Sequence, residues 1–445
     1  MQKPQQNQII ENTAEINLNK ISGETDPVKA RNIILLLAAS VSLMMTGYGI
    51  VMPVMAKRLA ELGAGVDILG FMAMAFAIGQ FLLAPFMGGL ADRFGRKPLI
   101  LVALAGTVLA NLAFLLVSSS EAYIGVRFFQ GAIGAGLLPA SMGIVGDIFP
   151  ENKRAQWVGI LMGSYGIGFI FGPGIGGFLY DSFGFVAPFG VSAILALLAL
   201  IFSLIVVPET RTREARLQAR HQAQERKTTG KQAATLPRPL YIFLTLLALD
   251  FLAVFAFAFI EPQLAFYIYQ ERHFTTSQFG LLVSLYGLAT VIGQLGLGRL
   301  SDRIGRKPLI VAGFVMNAIF YIGLTQFTDY ILMLGVSAIA GLGAALLTPA
   351  LSSYYLDITA EEHRSRVMGI KESMAALGGA AGPFLVAIAS KWTNAYGVFA
   401  IAAASTLLAA LLALSILQAR KQAAAASFPT VAVNPEEALE GELVA

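Results

Sequence analysis

Gly88-Gly-Leu-Ala-Asp-Arg-Phe-Gly-Arg-Lys-Pro-Leu-Ile100 recurs as Gly298-Arg-Leu-Ser-Asp-Arg-Ile-Gly-Arg-Lys-Pro-Leu-Ile310, identical at ten of thirteen positions and offset by 210 residues. The offset holds well beyond this stretch. It maps Gly131 onto Gly341, Pro139 onto Pro349, Asp147 onto Asp357 and Arg154 onto Arg364. Further on it maps Gly159-Ile160 onto Gly369-Ile370 and Gly172-Pro173 onto Gly382-Pro383. One register sustained over so much chain means that a large unit is written twice in tandem.

The composition tells what that unit is. Hydrophobic residues make up 56% of the 445 and charged residues 13%, about half the charge usual for soluble domains. A helix that crosses a bilayer needs about 20 mostly apolar residues. Apolar runs of that length are expected at about 33–55, 67–89, 98–117, 121–146, 155–180, 186–207, 240–269, 277–298, 308–326, 329–355, 367–390 and 395–418. The runs are continuous instead of alternating, which excludes an outer-membrane barrel. A soluble enzyme and a nucleic-acid binder are excluded by the same composition. With no cysteine, and with His221, His273 and His363 scattered through loops, neither a metal centre nor a cofactor is expected.

Twelve spans in two copies give six per copy, and an even number makes the copies parallel, related by an axis along the membrane normal. The expected organisation is an N-terminal arm (1–32), a six-helix bundle (33–207), a basic linker (208–239), a second six-helix bundle (240–418) and a disordered tail (419–445). The arm is polar, without the apolar core of a cleavable signal, so the first span is expected to be retained. If both termini are cytoplasmic, 26 of the 31 Lys and Arg fall on the cytoplasmic side and four outside, with Arg127 inside a helix. That asymmetry sets the orientation expected in a cell inner (plasma) membrane. The net charge of +4 thus marks topology and calls for no acidic partner, and the linker is read as lying on anionic lipid.

The chain resembles a twelve-span transporter of the major facilitator superfamily over residues ~30–420. The resemblance rests on the repeated Gly-x-Leu-Ala-Asp-Arg-x-Gly-Arg-Lys loop, on Arg127-Phe-Phe-Gln-Gly131, and on Gly168-Phe-Ile-Phe-Gly-Pro-Gly-Ile-Gly-Gly177. The last is similar to the glycine motif of drug/proton antiporters (Gly168, Gly172, Pro173, Gly176 and Gly177). The resemblance implies an all-α fold, and this last motif export of small lipophilic substrates in exchange for protons; a monomer is expected. The resemblance also implies that Gly88, Asp92, Arg93, Gly95, Arg96, Asp147 and Arg154, with Asp302, Arg306, Asp357 and Arg364 in the second copy, latch the halves on the cytoplasmic side. Gly168, Gly172 and Gly176 recur every four residues on one helical face, which suits close backbone approach. Their face is expected to form a seam between the halves.

Ionisable residues inside spans are costly and are functional candidates by default. Proton exchange needs a carboxyl group that gains and loses its proton as access alternates, and burial brings carboxyl protonation towards neutral pH. Glu261, just before Pro262, is the first candidate and resembles in position the essential acid of several multidrug exporters. Asp250, eleven residues earlier and so on roughly the same face, is the second. Arg127 is their candidate counter-charge; Lys371 and Glu372 sit about a turn inside span 11. Tyr48, Gln80, Gln130, Tyr165, Tyr286 and Gln294, with Asn111 and Asn317, are candidates for the polar part of a cavity otherwise apolar. Leu43-Met-Met-Thr-Gly-Tyr-Gly-Ile-Val-Met-Pro53 resembles the first-span motif of tetracycline exporters, but Met44 stands where those carry aspartate. The substrates expected are lipophilic and cationic or zwitterionic. A sugar or metabolite transporter and a lipid or glycolipid flippase of the same fold stay open as alternatives.

Overall fold

The structure, a computed structural model, describes residues 27–149, 151–210, 237, 239–297, 304–359 and 364–416. Twelve helices among these are long and apolar enough to cross a membrane. In hydrocarbon no water can satisfy a peptide group, so long apolar runs are driven to pair every N–H and C=O within a helix. In the first half, span 1 is Pro27–Glu61, span 2 Val66–Phe94, span 3 Arg96–Leu116, span 5 Glu151–Phe183 and span 6 Val186–Val206. The second half comprises span 7 (Leu240–Phe266), span 8 (Thr276–Leu297), span 9 (Arg306–Gln326), span 10 (Tyr330–Asp357), span 11 (Arg364–Ala389) and span 12 (Ala395–Ile416). Span 7 is prolonged by a π-helical turn, Tyr267–Glu271.

Span 4 departs from the single run expected at 121–146. It is broken into Ser120–Gly134 and Leu137–Ile148, with Gly134, Gly136 and Pro139 around the break. Pro139 falls in the first turn of the second piece, where a missing N–H costs nothing. Its counterpart Pro349 lies inside an unbroken span 10. The arm up to residue 26, linker residues 211–236, the tail from 417, Asp302, and the side chains of Asp92 and Arg364 lie outside the described residues.

The duplication is visible in the packing. A Cβ added at Gly131 would stand 2.1 Å from the Phe76 carbonyl oxygen, and one at Gly341 would stand 2.3 Å from that of Tyr286. Both members of the second pair are 210 residues beyond the first. Gly172 likewise abuts Gly49 while Gly382 abuts Phe259. Gly95 (φ 115°) and Gly305 (φ 94°) take the same left-handed conformation between spans 2 and 3 and between spans 8 and 9. Only glycine adopts it without cost, which explains the glycine shared by the two loop motifs.

Two crossings join the halves, and they too are related by the offset. A Cβ on Gly70 (span 2) would lie 2.6 Å from the Pro383 oxygen (span 11), and one on Gly280 (span 8) would lie 2.1 Å from the Pro173 oxygen (span 5). Both crossings lie towards the end of the bundle away from the repeated loop motif, here called the far end. At that end one apolar core runs through both halves, from Val54 and Phe189 to Phe266 and Phe399. At the motif end the core divides into one cluster within the first half and another within the second. The halves are therefore packed together at the far end and parted at the motif end.

Candidate functional site

The space left by that parting is a cavity of about 680 Å³, walled by spans 1, 2, 4, 7, 8 and 11. Met52, Met55 and Met72 line it with Phe76, Phe81 and Phe279. Thioether and aromatic groups adapt their shape to varied apolar guests. The ionisable residues of its wall are Arg127, Glu261 and Glu372, and Tyr48 and Gln80 add neutral polar groups.

Arg127 and Glu261 come from opposite halves. Arg127 sits on the first piece of span 4, 8% exposed, and donates to the Gln130 Oε1 at 3.0 Å. That partner is one turn along the same helix, a spacing that puts both side chains on one face. The guanidinium lies 5.4 Å from the Tyr48 ring, 5.9 Å from Phe76 and 5.7 Å from Phe114. The ring faces offer a desolvated cation partial compensation. Glu261 is half-buried on span 7, and among the described residues Arg127 is the cation whose field reaches its carboxylate. Tyr48 lies next to both. Pro262 follows within the helix and lacks the N–H that an uninterrupted ladder would use. A carboxylate and a guanidinium, one from each half, thus line the same cavity.

Asp250 is placed differently. Although eleven residues from Glu261 on the same helix, it is 6% exposed, turned towards spans 10 and 11. There Lys371 Nζ stands 4.0 Å from its Oδ1, and the Tyr355 hydroxyl is its other neighbour. Of the polar residues expected in the cavity, Tyr48 and Gln80 line it, and Gln130 reaches it through Arg127. Tyr165, Tyr286 and Gln294 lie outside the lining. Tyr165 packs into the first-half core, Tyr286 stacks on Phe257 and Gln294 is exposed. Asn111 and Asn317 are buried, Asn317 donating to the Gly313 carbonyl. Helical phase alone could not separate these cases, because a buried helix is apolar on every side. Glu372, noted in the sequence only as ionisable, is a wall residue.

The charged loop residues bind within each half. Arg96 pairs with Asp147 at 2.6 Å, and its counterpart Arg306 with Asp357 at 3.3 Å. Glu209 accepts from the Arg96 backbone N–H at 3.1 Å, setting a carboxylate on the positive end of span 3. Lys97 donates to the Leu204 carbonyl at 2.7 Å, and Arg154 to that of Phe149 at 3.0 Å. A guanidinium held against Gly143 explains that glycine, since a Cβ there would overlap it. With the motif end parted, these pairs fasten spans 3, 4 and 6 of one half to each other.

The span-5 glycines do not form one seam. Gly168, Gly172 and Gly176 face Met45, Gly49 and Ile50 of span 1, inside the first half. Gly177, next around the helix, faces Thr276 of span 8 in the other half. The stripe expected to form an inter-half seam therefore packs inside the first half, and the contact with the other half is made by Gly177. A four-residue stripe covers a single helix face, and span 1 already occupies it.

The far end is closed by polar contacts as well as by packing. Asp181, at the end of span 5, accepts from the backbone N–H of Thr276 at 3.2 Å and of Ser277 at 2.7 Å, and from the Ser277 hydroxyl at 2.6 Å. It therefore caps span 8 from the opposite half. The π-helical turn carries Tyr269 to span 1, where its hydroxyl donates to the Pro53 carbonyl at 2.6 Å.

The Major Facilitator Superfamily family model matches residues 37–262 and again 246–435. The chain is 26% identical to multidrug resistance protein 2 of Bacillus subtilis over 357 residues, 80% of this chain and 88% of that protein. It is 29% identical to the class B tetracycline resistance protein of Escherichia coli, covering 77% of this chain and 84% of that one. The crystal structure of the human organic anion transporter MFSD10 (TETRAN) superposes with a TM-score of 0.63 at 22% identity, covering 87% of this chain and all of that one. Twelve membrane-type helices in two six-helix halves, with a family match that falls twice on the chain, identify a multi-pass membrane protein belonging to the Major Facilitator Superfamily.

Proposed function

We propose that the chain exports lipophilic, cationic or zwitterionic compounds from the cytoplasm in exchange for protons. The observation that carries this reading is the Glu261–Arg127 pair, contributed by opposite halves to a cavity walled by methionine and aromatic side chains. A carboxyl group so placed meets each side of the membrane in turn when the halves rock, so its proton and a bound cation can replace one another. The relatives named for multidrug and tetracycline resistance support the substrate class. Met44, buried and neutral, argues against a tetracycline–metal chelate as the dedicated cargo. The basic residues of the motif end support a cytoplasmic location for it, which makes the described state inward-open with both termini inside.

Proteoliposomes carrying the chain test the reading. With an inside-acidic pH gradient, entry of a lipophilic cation is expected to dissipate that gradient in proportion to the substrate taken up. Entry with no effect on the gradient overturns proton exchange. Gradient-independent transport of a sugar would favour the metabolite reading, and headgroup flipping without cation entry the flippase reading.

The reading also assigns Asp181 to the outer gate. A helix-capping side chain contributes about 0.5–2 kcal/mol. Asp181→Ala is therefore expected to shift the equilibrium towards the outward-open state by roughly two- to thirtyfold. Spin labels at Glu121 and Thr328, one on each half at the far end, should report a longer distance population in the variant. An unchanged distance distribution would remove Asp181 from the gate.

A further inference from the structure

Three charged side chains on spans 7 and 11 form a unit distinct from the Glu261–Arg127 pair. Lys371 Nζ lies 2.9 Å from Glu372 Oε1 and 4.0 Å from Asp250 Oδ1. Lys371 and Asp250 are 5% and 6% exposed, whereas the Glu372 side chain is 69% exposed and forms part of the cavity wall. The Tyr355 hydroxyl is the other polar group beside Asp250. Two carboxylates around one ammonium leave a net charge of −1. The Glu261–Arg127 pair, by contrast, sums to zero. Among the described residues the three-membered unit thus carries one uncompensated negative charge, and Glu372 is its member on the cavity wall, where one positive charge would balance it.

The surroundings of Glu372 fit an apolar body carrying that charge. From Glu372 towards Pro383, the span-11 wall is made of Ser373, Ala375, Ala376 and Gly379, which leaves a low surface beside the carboxylate. Span 2 adds Phe81 to the wall of the same cavity, 57% exposed. Phe81 is eleven residues from Gly70, and Glu372 is eleven residues from Pro383, the two residues that meet where spans 2 and 11 cross. At 1.5 Å per residue both lie about 16 Å from that crossing, level with each other. An aromatic ring and a carboxylate at one level of a cavity wall are a setting for a desolvated cation.

We propose that Glu372 and Phe81 form a second recognition site, specific for lipophilic monocations, near the motif-end mouth of the cavity. The cation replaces Lys371 as the counter-ion of Glu372. Lys371 is then left to Asp250 alone, so occupancy of the cavity is felt by a buried charge pair inside the second half. The proposal rests on the export reading, and equilibrium binding separates the two.

The test measures binding of tetraphenylphosphonium, a permanent monocation, and of triphenylphosphine oxide, a neutral analogue, to the full chain in nanodiscs. Glu372→Gln is expected to weaken tetraphenylphosphonium binding by about tenfold, as loss of the Coulomb attraction between a carboxylate and a cation in a partly desolvated site implies, and to leave the neutral probe unchanged. The double variant Asp250→Asn/Lys371→Met removes both buried charges together, so no lone ion is stranded. It is expected to tighten tetraphenylphosphonium binding severalfold, because the internal competitor for Glu372 is gone; mere structural damage would not do this. Equal weakening of both probes in Glu372→Gln, or unchanged cation binding, overturns the second site while leaving proton-coupled export standing. If the native chain binds neither probe, the lipophilic-cation reading falls with it.

Discussion

Glu261→Gln is expected to abolish transport driven by a pH gradient, reducing uphill entry of a cation into proteoliposomes to the level seen with the gradient collapsed. Glutamine has nearly the same shape, so the cavity wall and the helix turn ahead of Pro262 are kept. What disappears is the group able to take up and release a proton opposite Arg127. Energetically downhill substrate equilibration needs no proton and should persist, which separates coupling from binding. Arg127 retains Gln130 and the rings of Tyr48, Phe76 and Phe114, so its charge is not stranded. Arg127→Leu, on the other hand, leaves Glu261 without the cation that, among the described residues, acts on its carboxylate, and is expected to lower abundance as well, because an uncompensated acid at membrane depth is costly. Full gradient-driven transport by Glu261→Gln, at normal abundance, would sink the coupling role.

Gly176→Val and Gly280→Val are expected to fail in opposite ways, although each places a Cβ about equally close to a carbonyl oxygen: 2.0 Å from Ile50 and 2.1 Å from Pro173. No rotamer relieves either clash, because the offending atom is the Cβ itself and its neighbour is backbone. Overpacking of this kind costs typically 1–3 kcal/mol. Gly176 meets span 1 inside the first half, and that contact is present in every rocking state, so the variant should lose melting temperature and abundance. Gly280 meets span 5 across the halves, and its strain is relieved when the far end opens. It should fold normally and populate the far-end-open state about thirtyfold more for a penalty near 2 kcal/mol.

The chain has no cysteine, so one introduced thiol gives an unambiguous reading. Met55, 1% exposed at the blind end of the cavity, suits the purpose. In the Gly280→Val background, Met55→Cys should react with a membrane-impermeant maleimide applied to intact cells. Lower melting temperature in Gly280→Val, with no gain in labelling, would assign that crossing to folding instead of gating.

Much of this architecture is legible from residue order alone. The 210-residue offset gives the duplication, and with the apolar runs it gives six spans written twice. The structure repeats the offset in details such as Gly131 against Phe76 and Gly341 against Tyr286. Duplicated sequence specifies duplicated packing, since the same side chains meet the same backbone. Arg127 and Glu261 are also legible, because an ion in hydrocarbon is too costly to persist without a use.

The partners of these residues are not legible. In a bundle apolar on nearly every face, helical phase does not tell which neighbour a side chain meets, and that choice is made by the docking of helices far apart in the chain. Tertiary structure thus decided that Asp250 turns to Lys371 while Glu261 faces Arg127. It also decided that Gly176 packs within a half while Gly177 packs between halves, and that Glu372 borders the cavity. Sequence fixes which groups are too expensive to bury without reason; only the assembled helices bring them within reach of one another, because charge compensation acts over a few ångströms and not along the chain.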